Sequence, residues 1–134
     1  MSFEYEIKVR WGDTDAAGIV FYPNYYKWMN EASHELLTEI GISAYALYKK
    51  EGIGNPLLET HCEFFSPLFF EDVVTIRCSV VEVQNKVYKT DYKFYRNDQL
   101  VAQGYEVRVW TLFKDKPKAI PIPDKIKEKM LQFQ

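Results

Sequence analysis

One long helical pattern, from Pro23 to about Ile40, constrains this chain more than any other feature of its sequence. Apolar residues recur every four positions at Trp28, Ala32, Leu36 and Ile40, with Tyr25, Met29 and Leu37 beside them. Pro23 suits the first helical position, and Gly41 stands where a glycine commonly ends a helix. Because the apolar stripe is wide and aromatic, we expect this helix, about 27 Å long, to be mostly enclosed.

Most of the remaining chain is typical of β-strands. Alternating apolar and charged residues predict a first strand from Phe3 to Trp11, with Trp11 on its buried face. Further strands are predicted over residues 57–65, 72–83, 86–96 and 100–113, and short helices over 43–51 and 124–133. In the last strand Val101, Tyr105, Val107 and Val109 share one face. We expect the final four strands to follow one another as hairpins.

This order of elements predicts an α+β fold with a five-stranded antiparallel sheet curled around one long central helix. The length of 134 residues fits a single domain over residues 1–134. A formal net charge of −2 argues against a nucleic-acid partner, since such proteins usually carry a strongly basic face. The sequence has no apolar run near the roughly 20 residues that span a bilayer, no signal-peptide pattern and only two cysteines. We therefore expect a cytoplasmic protein that does not bind a membrane.

Two motifs carry a resemblance to a known family. The stretch Arg10–Ser33 reads RWGDTDAAGIVFYPNYYKWMNEAS and resembles the N-terminal signature of hotdog-fold acyl-CoA thioesterases, in particular the 4-hydroxybenzoyl-CoA thioesterase group. The second, Phe64-Phe65-Ser66-Pro67 with Asp72 downstream, is similar to the aromatic-x-x-Pro turn of that family. The resemblance implies a hotdog fold and hydrolysis of a short-chain or aromatic acyl-CoA to a free acid and CoA. It implies no metal or organic cofactor.

Asp15 and the backbone amide of Tyr22 are the candidate catalytic groups. The resemblance implies that Asp15, the second Asp of the D-x-D motif, is a base or a nucleophile; the sequence does not choose between these roles. Thioester hydrolysis needs an activated attacking group and donors for the developing oxyanion, and a helix start offers unpaired N–H groups. Pro23 has no N–H, so Tyr22 is the expected donor. The alternative for Asp15 is a carboxylate that only caps its loop, the role we expect of Asp13.

Candidate substrate-binding residues are Gly18, Pro23, His61 and Lys86. Gly18 is expected to adopt a conformation, or to allow a close approach, that a side chain would prevent. His61 is either a pocket residue or an ordinary histidine on a sheet face. Relatives place basic residues for the CoA phosphates in the hairpin that here reads Gln84-Asn85-Lys86, so only Lys86 keeps a charge there.

Assembly and two other functions complete the expectations. Exposed sheet edges favour association, and the resemblance implies dimers joined edge to edge, often paired into tetramers. We expect at least a homodimer, and a homotetramer is the favoured state. A non-catalytic domain that binds acyl-CoA or an apolar ligand is the main alternative, because one fold can host many functions. A hydratase or dehydratase is not favoured, since the Asp-His pair of those hotdog enzymes is not found.

Overall fold

Eight strands and three α-helices follow one another in the computed structural model, which describes all residues 1–134. Their bounds are β1 Phe3–Lys8, α1 Pro23–Ile40, α2 Ala44–Glu51, β2 Ile53–Gly54, β3 Leu57–Phe64, β4 Val73–Val83, β5 Val87–Arg96, β6 Gln99–Val109, β7 Thr111–Leu112, β8 Lys118–Ala119 and α3 Asp124–Leu131. A 3-10 turn covers Trp11–Asp13. None of the helices combines the length and the apolar character that a bilayer span requires.

Five strands form an antiparallel sheet in the order β1-β4-β5-β6-β3. The predicted α+β class and the five-stranded sheet are confirmed. The expectation that all four last strands form consecutive hairpins is wrong, because β3 pairs with β6 at one edge, whereas β4 pairs with β1 near the other. The segment after Pro67 instead carries the chain across the end of the sheet, so β3 and β4 are not neighbours. A small second sheet, β2-β7-β8, was not predicted.

The apolar stripe of α1 packs against the main sheet. Its buried residues are Tyr25, Trp28, Met29, Ala32, Ser33, Leu36, Leu37 and Ile40, which include every member of the predicted stripe. The opposite side of α1 is exposed, so the helix is covered on one face rather than mostly enclosed. Gly104 on β6 allows the close approach, because a Cβ there would lie 3.0 Å from Met29 Sδ and would collide with the His61 carbonyl.

Two strand ends differ from their predictions. β1 stops at Lys8, and Trp11 begins the 3-10 turn with 78% of its surface exposed, so its predicted burial is wrong. The long last strand is interrupted at Trp110, which is completely buried and whose backbone N–H donates to the Lys86 carbonyl. The chain changes partners at this point, and the next residues pair with β2 and β8 in the small sheet.

A buried polar network joins the sheet to α1. The Tyr92 hydroxyl donates to Glu106 at 2.7 Å, and the Arg108 guanidinium donates to both Glu106 oxygens at 2.9 and 3.0 Å. Arg108 also donates to Asn30 Oδ1 on α1 at 2.9 Å and to the Asn55 carbonyl at 2.7 Å. Each charged group therefore has partners, which offsets the cost of removing it from water.

Candidate active site

A tight turn before α1 presents Asp15. The Asp15 N–H donates to the Ile19 carbonyl and the Gly18 N–H to the Asp15 carbonyl, both at 2.9 Å. The Ala17 N–H donates to Asp15 Oδ1 at 2.8 Å, so this oxygen caps the turn. No group of the chain donates to Oδ2, and the side chain is exposed. Asp15 thus has one oxygen that orients it and one that is free to meet a ligand.

Gly18 closes this turn in a left-handed conformation. Its φ is +80°, a value that residues with a Cβ rarely adopt. A Cβ placed on Gly18 would meet nothing within 4 Å, so backbone conformation rather than a close approach accounts for the glycine.

The first turn of α1 leaves one backbone donor free. The Asn24 N–H donates to the Phe21 carbonyl at 3.0 Å, and the Tyr25 N–H to the Tyr22 carbonyl at 3.1 Å. Pro23 has no N–H, and no acceptor in the chain lies opposite the Tyr22 N–H. No acidic side chain occupies this turn, so the positive end of the helix dipole is uncompensated. The site can therefore stabilise a developing negative charge.

Asp13 holds the loop in the way expected from the sequence. Its Oδ2 accepts the Arg10 N–H at 2.8 Å. The Asp13 carbonyl accepts the Phe21 N–H and the Asn24 side-chain amide, each at 2.8 Å. Asp13 therefore connects the strand exit to the start of α1.

An apolar cavity of about 440 Å³ opens beside this helix start. It is lined by Ile19, Val20, Tyr22, Tyr25, Phe64, Phe65, Ser66 and Pro67. The rings of Tyr25 and Phe64 meet edge to face, with centroids 4.8 Å apart. Two of its lining residues are Tyr22, whose N–H is free, and Ile19, whose carbonyl accepts the Asp15 N–H, so the cavity adjoins the helix start and the Asp15 turn. Its size and aromatic walls suit a planar apolar group.

Arg96 fixes the wall of the cavity formed by Ser66 and Pro67. Its guanidinium donates to the Pro67 carbonyl at 2.9 Å and to Asp72 Oδ2 at 3.1 Å. The same Asp72 oxygen accepts the Phe69 N–H at 2.8 Å. The Val20 N–H then donates to the Leu68 carbonyl at 2.9 Å, which ties the Asp15 loop to this segment.

The comparisons with known proteins identify the family of the chain. A family model described as the thioesterase-like superfamily matches residues 9–130. The chain belongs to this superfamily. The family resemblance and the hotdog fold expected from the sequence are therefore confirmed, as is the enzyme class of thioester hydrolases at the level of the family.

Three relatives show how close the similarity is. The solved structure of a gentisyl-coenzyme A thioesterase has a TM-score of 0.86 and 44% identity, over 96% of this chain and 98% of that one. A putative esterase of Aquifex aeolicus is 32% identical over 78% of this chain and 80% of its own length. The 4-hydroxybenzoyl-CoA thioesterase of Pseudomonas sp. strain CBS-3 is 27% identical over 87% and 88%, respectively.

Within this thioesterase-like chain, the predicted site residues fall into two groups. Asp15, Gly18, Tyr22 and Pro23 lie together in the turn and at the helix start, and Tyr22 lines the cavity. Lys86 lies in the turn between β4 and β5, at the opposite end of β4 from the cavity. A strand of that length separates the two ends by about 33 Å, so Lys86 and the cavity are not brought together within one chain.

His61 lies on the face of the sheet that points away from α1. Its ring stacks on Tyr105 at 5.5 Å and its Nε2 lies 3.2 Å from Glu63 Oε1. Tyr105 in turn donates to Glu59 and is covered by Lys89, whose Nζ lies 4.2 Å from the ring centre. This hollow, about 460 Å³, is lined mostly by charged and polar groups. The apolar cavity is the stronger candidate for an active site, because it is lined by Tyr22, whose N–H is free, and by Ile19 of the Asp15 turn, whereas this hollow is lined by neither.

Sequence reasoning missed Arg96 as a member of the site. An arginine at a strand end carries no local signal of this role, since the partners it has at the cavity wall, Ser66, Pro67 and Asp72, lie 24 to 30 positions away in the chain. Phe64 and Phe65 were visible in the Phe-Phe-Ser-Pro motif, which does line the cavity.

Proposed function

We propose that this chain is an acyl-CoA thioesterase that hydrolyses an aromatic acyl-CoA to the free aromatic acid and CoA. The observation that carries the proposal is the aromatic cavity of about 440 Å³ beside the unpaired Tyr22 N–H and the Asp15 turn. Relatives that act on gentisyl-CoA and 4-hydroxybenzoyl-CoA support an aromatic rather than a short-chain acyl group.

In the proposed reaction the Asp15 carboxylate is the general base or the nucleophile. It either takes a proton from a water molecule that attacks the thioester carbonyl, or attacks that carbon itself to give an anhydride that water then opens. In both routes the carbon–sulfur bond breaks, one water molecule is consumed, the acyl group is released as the free acid with the Asp15 carboxylate restored, and CoA leaves as the thiol. The Ala17 N–H holds one Asp15 oxygen, which leaves the other available for this step.

The Tyr22 N–H is the proposed oxyanion donor. As the carbonyl becomes tetrahedral its oxygen gains negative charge, which a free amide at a helix start stabilises more than it stabilises the neutral carbonyl. Lys86 and other lysines remain candidates for the CoA phosphates. Two buried free cysteines, Cys62 and Cys78, support a reducing, cytoplasmic location.

A hydrolysis screen tests this function. Benzoyl-, 4-hydroxybenzoyl-, butyryl- and palmitoyl-CoA are offered in turn, and released thiol is measured with a chromogenic disulfide. We expect the aromatic substrates to have the highest kcat/KM. Binding of these thioesters without any release of thiol would instead favour the non-catalytic acyl-CoA binding domain.

A further inference from the structure

The hydroxyl group of Tyr25 is unusual among the groups around the apolar cavity. Tyr25 lies on the first turns of α1 and only 3% of its surface is exposed. Three aromatic rings hold its own ring edge to face: Phe64 at 4.8 Å, Phe94 at 5.5 Å and Trp28 at 5.6 Å between centroids. The position of the ring is therefore fixed, and with it the position of the hydroxyl.

The Tyr25 hydroxyl has no hydrogen-bond partner in the chain. Trp110 Nε1 is the only side-chain polar atom that is both removed from solvent and without a hydrogen-bond partner. The Tyr25 oxygen therefore keeps some accessible surface, and the cavity is the space that Tyr25 lines. A rigid, unpaired hydroxyl thus lies at the wall of a mostly apolar space.

The neighbouring polar groups do not duplicate this one. Ser66 also lines the cavity, but its hydroxyl lies within 3.5 Å of the Arg96 guanidinium, which donates to it. Tyr22 is 60% exposed, so water reaches its side chain. Burial raises the pKa of Tyr25 to about 12, so this group stays protonated and can donate a hydrogen bond at any physiological pH.

A buried hydroxyl discriminates between ligands that differ by one polar group. A benzoyl ring that fills the cavity strips water from Tyr25 and leaves its hydroxyl unpaired, which is costly. A ring that carries its own hydroxyl at the right position restores the hydrogen bond. Sites built in this way reject the analogue without the polar group much more strongly than apolar pockets reject a missing methylene.

We propose that Tyr25 determines specificity by hydrogen-bonding a hydroxyl substituent on the aromatic acyl ring, so that the cavity selects hydroxylated over unsubstituted benzoyl groups. This inference rests on the proposed function for the position of the ring. It adds to that function a named residue and a chemical group of the substrate that it contacts.

Tyr25→Phe tests the inference, since it removes one oxygen and keeps the ring packed among its three neighbours. The substrates are benzoyl-CoA and its 2-, 3- and 4-hydroxy isomers. We expect the wild type to prefer at least one isomer over benzoyl-CoA by about 10- to 100-fold in kcat/KM, and Tyr25→Phe to abolish that preference. Tyr26→Phe is the matched control, because Tyr26 is the next residue on α1 and does not line the cavity; it should keep the wild-type preference.

Binding of the free acids separates this inference from the proposed function. Calorimetry with benzoate, the hydroxybenzoates and the fluorobenzoates needs no turnover, and fluorine is similar in size to a hydroxyl but is a much weaker hydrogen-bond acceptor and donates no hydrogen bond. Wild type that favours one hydroxy acid over its fluoro isomer, with the preference lost in Tyr25→Phe, supports the inference even if no thioester is hydrolysed. A preference that survives in Tyr25→Phe overturns it, and so does wild type without any preference, a result that does not depend on the folding of the variant.

Discussion

At the scale of single residues, one oxygen of the Asp15 carboxylate stabilises the turn and the other is available for the proposed reaction. Replacing Asp15 with Asn leaves an oxygen to accept the Ala17 N–H, so the turn should survive. The free oxygen becomes a neutral amide group that can neither take a proton nor attack a carbonyl. We therefore expect Asp15→Asn to retain its melting temperature and oligomeric state, while hydrolysis of aromatic acyl-CoA falls at least about 100-fold. Steady-state kinetics and a thermal melt measure the two effects.

Asp13 supplies the contrast for this prediction. It lines a polar hollow between β1 and α1, together with Tyr5 and Glu31, and its Oδ2 accepts the Arg10 N–H. Asp13→Ala should lower the free energy of unfolding by about 1 kcal/mol, with a smaller effect on kcat than Asp15→Asn. An Asp15→Asn enzyme with near wild-type turnover would contradict the proposed chemistry.

At the scale of elements, the contact between β6 and α1 depends on Gly104. A methyl group there would collide with the His61 carbonyl of β3 and press on Met29 of α1. Because a backbone atom cannot turn aside as a side chain can, we expect Gly104→Ala to cost about 1–3 kcal/mol. Gly12→Ala is the control, since a Cβ on Gly12 meets nothing within 4 Å. Urea denaturation compares the two variants; equal stabilities would contradict the close-packing explanation.

The segment between β3 and β4 depends on Arg96. Arg96→Gln removes the bonds to Pro67 and Asp72, and it leaves the partly buried Asp72 carboxylate with fewer donors. We expect a loss of about 1–3 kcal/mol in stability, together with a lower kcat/KM, because the cavity wall is no longer fixed. Arg77→Gln, which breaks an exposed pair with Glu4, should cost no more than about 1 kcal/mol. Chemical denaturation and kinetics of both variants decide whether Arg96 matters more.

Periodicity in the sequence identified the elements better than it identified their neighbours. The stripe of α1 was predictable because helical spacing depends only on nearby residues. The position of β3 at the far edge was not, since strand order depends on contacts between distant residues. In β6, alternation revealed a strand but not its core side: Glu106 and Arg108 face inward because each satisfies the other. The turn that presents Asp15 was predictable from its motif, whereas the contacts of Arg96 at the cavity wall exist only in the folded chain.

At the scale of the molecule, β3 is an edge strand that pairs with β6 on one side and with nothing on the other. Leu57 and Leu58 are exposed at its start. Unpaired strand edges with apolar residues favour association. We therefore expect light scattering at micromolar concentration to give at least a dimer of the 15.9 kDa chain, and a tetramer is the favoured state. A particle of about 16 kDa would contradict this expectation.

A charged side chain at this edge tests which surface is used. Leu58→Lys should weaken the dimer, because a buried lysine at an interface loses its hydration without gaining a partner. Val81→Lys is the control: Val81 is similarly exposed, but it lies on β4 away from the β3 edge. It should leave at least a dimer intact.

The order of strands in the sheet also determines when the chain can fold as it leaves the ribosome. The central strands β4, β5 and β6 are consecutive in sequence, whereas β1, α1 and β3 are all synthesised before them. The apolar stripe of α1 therefore stays uncovered until β4, β5 and β6 have been made. This requires roughly 70 further residues, which takes about 4–14 s at about 5–20 residues per second. During that interval the nascent chain exposes a helix rich in aromatic residues, so the speed of translation sets the period of greatest aggregation hazard.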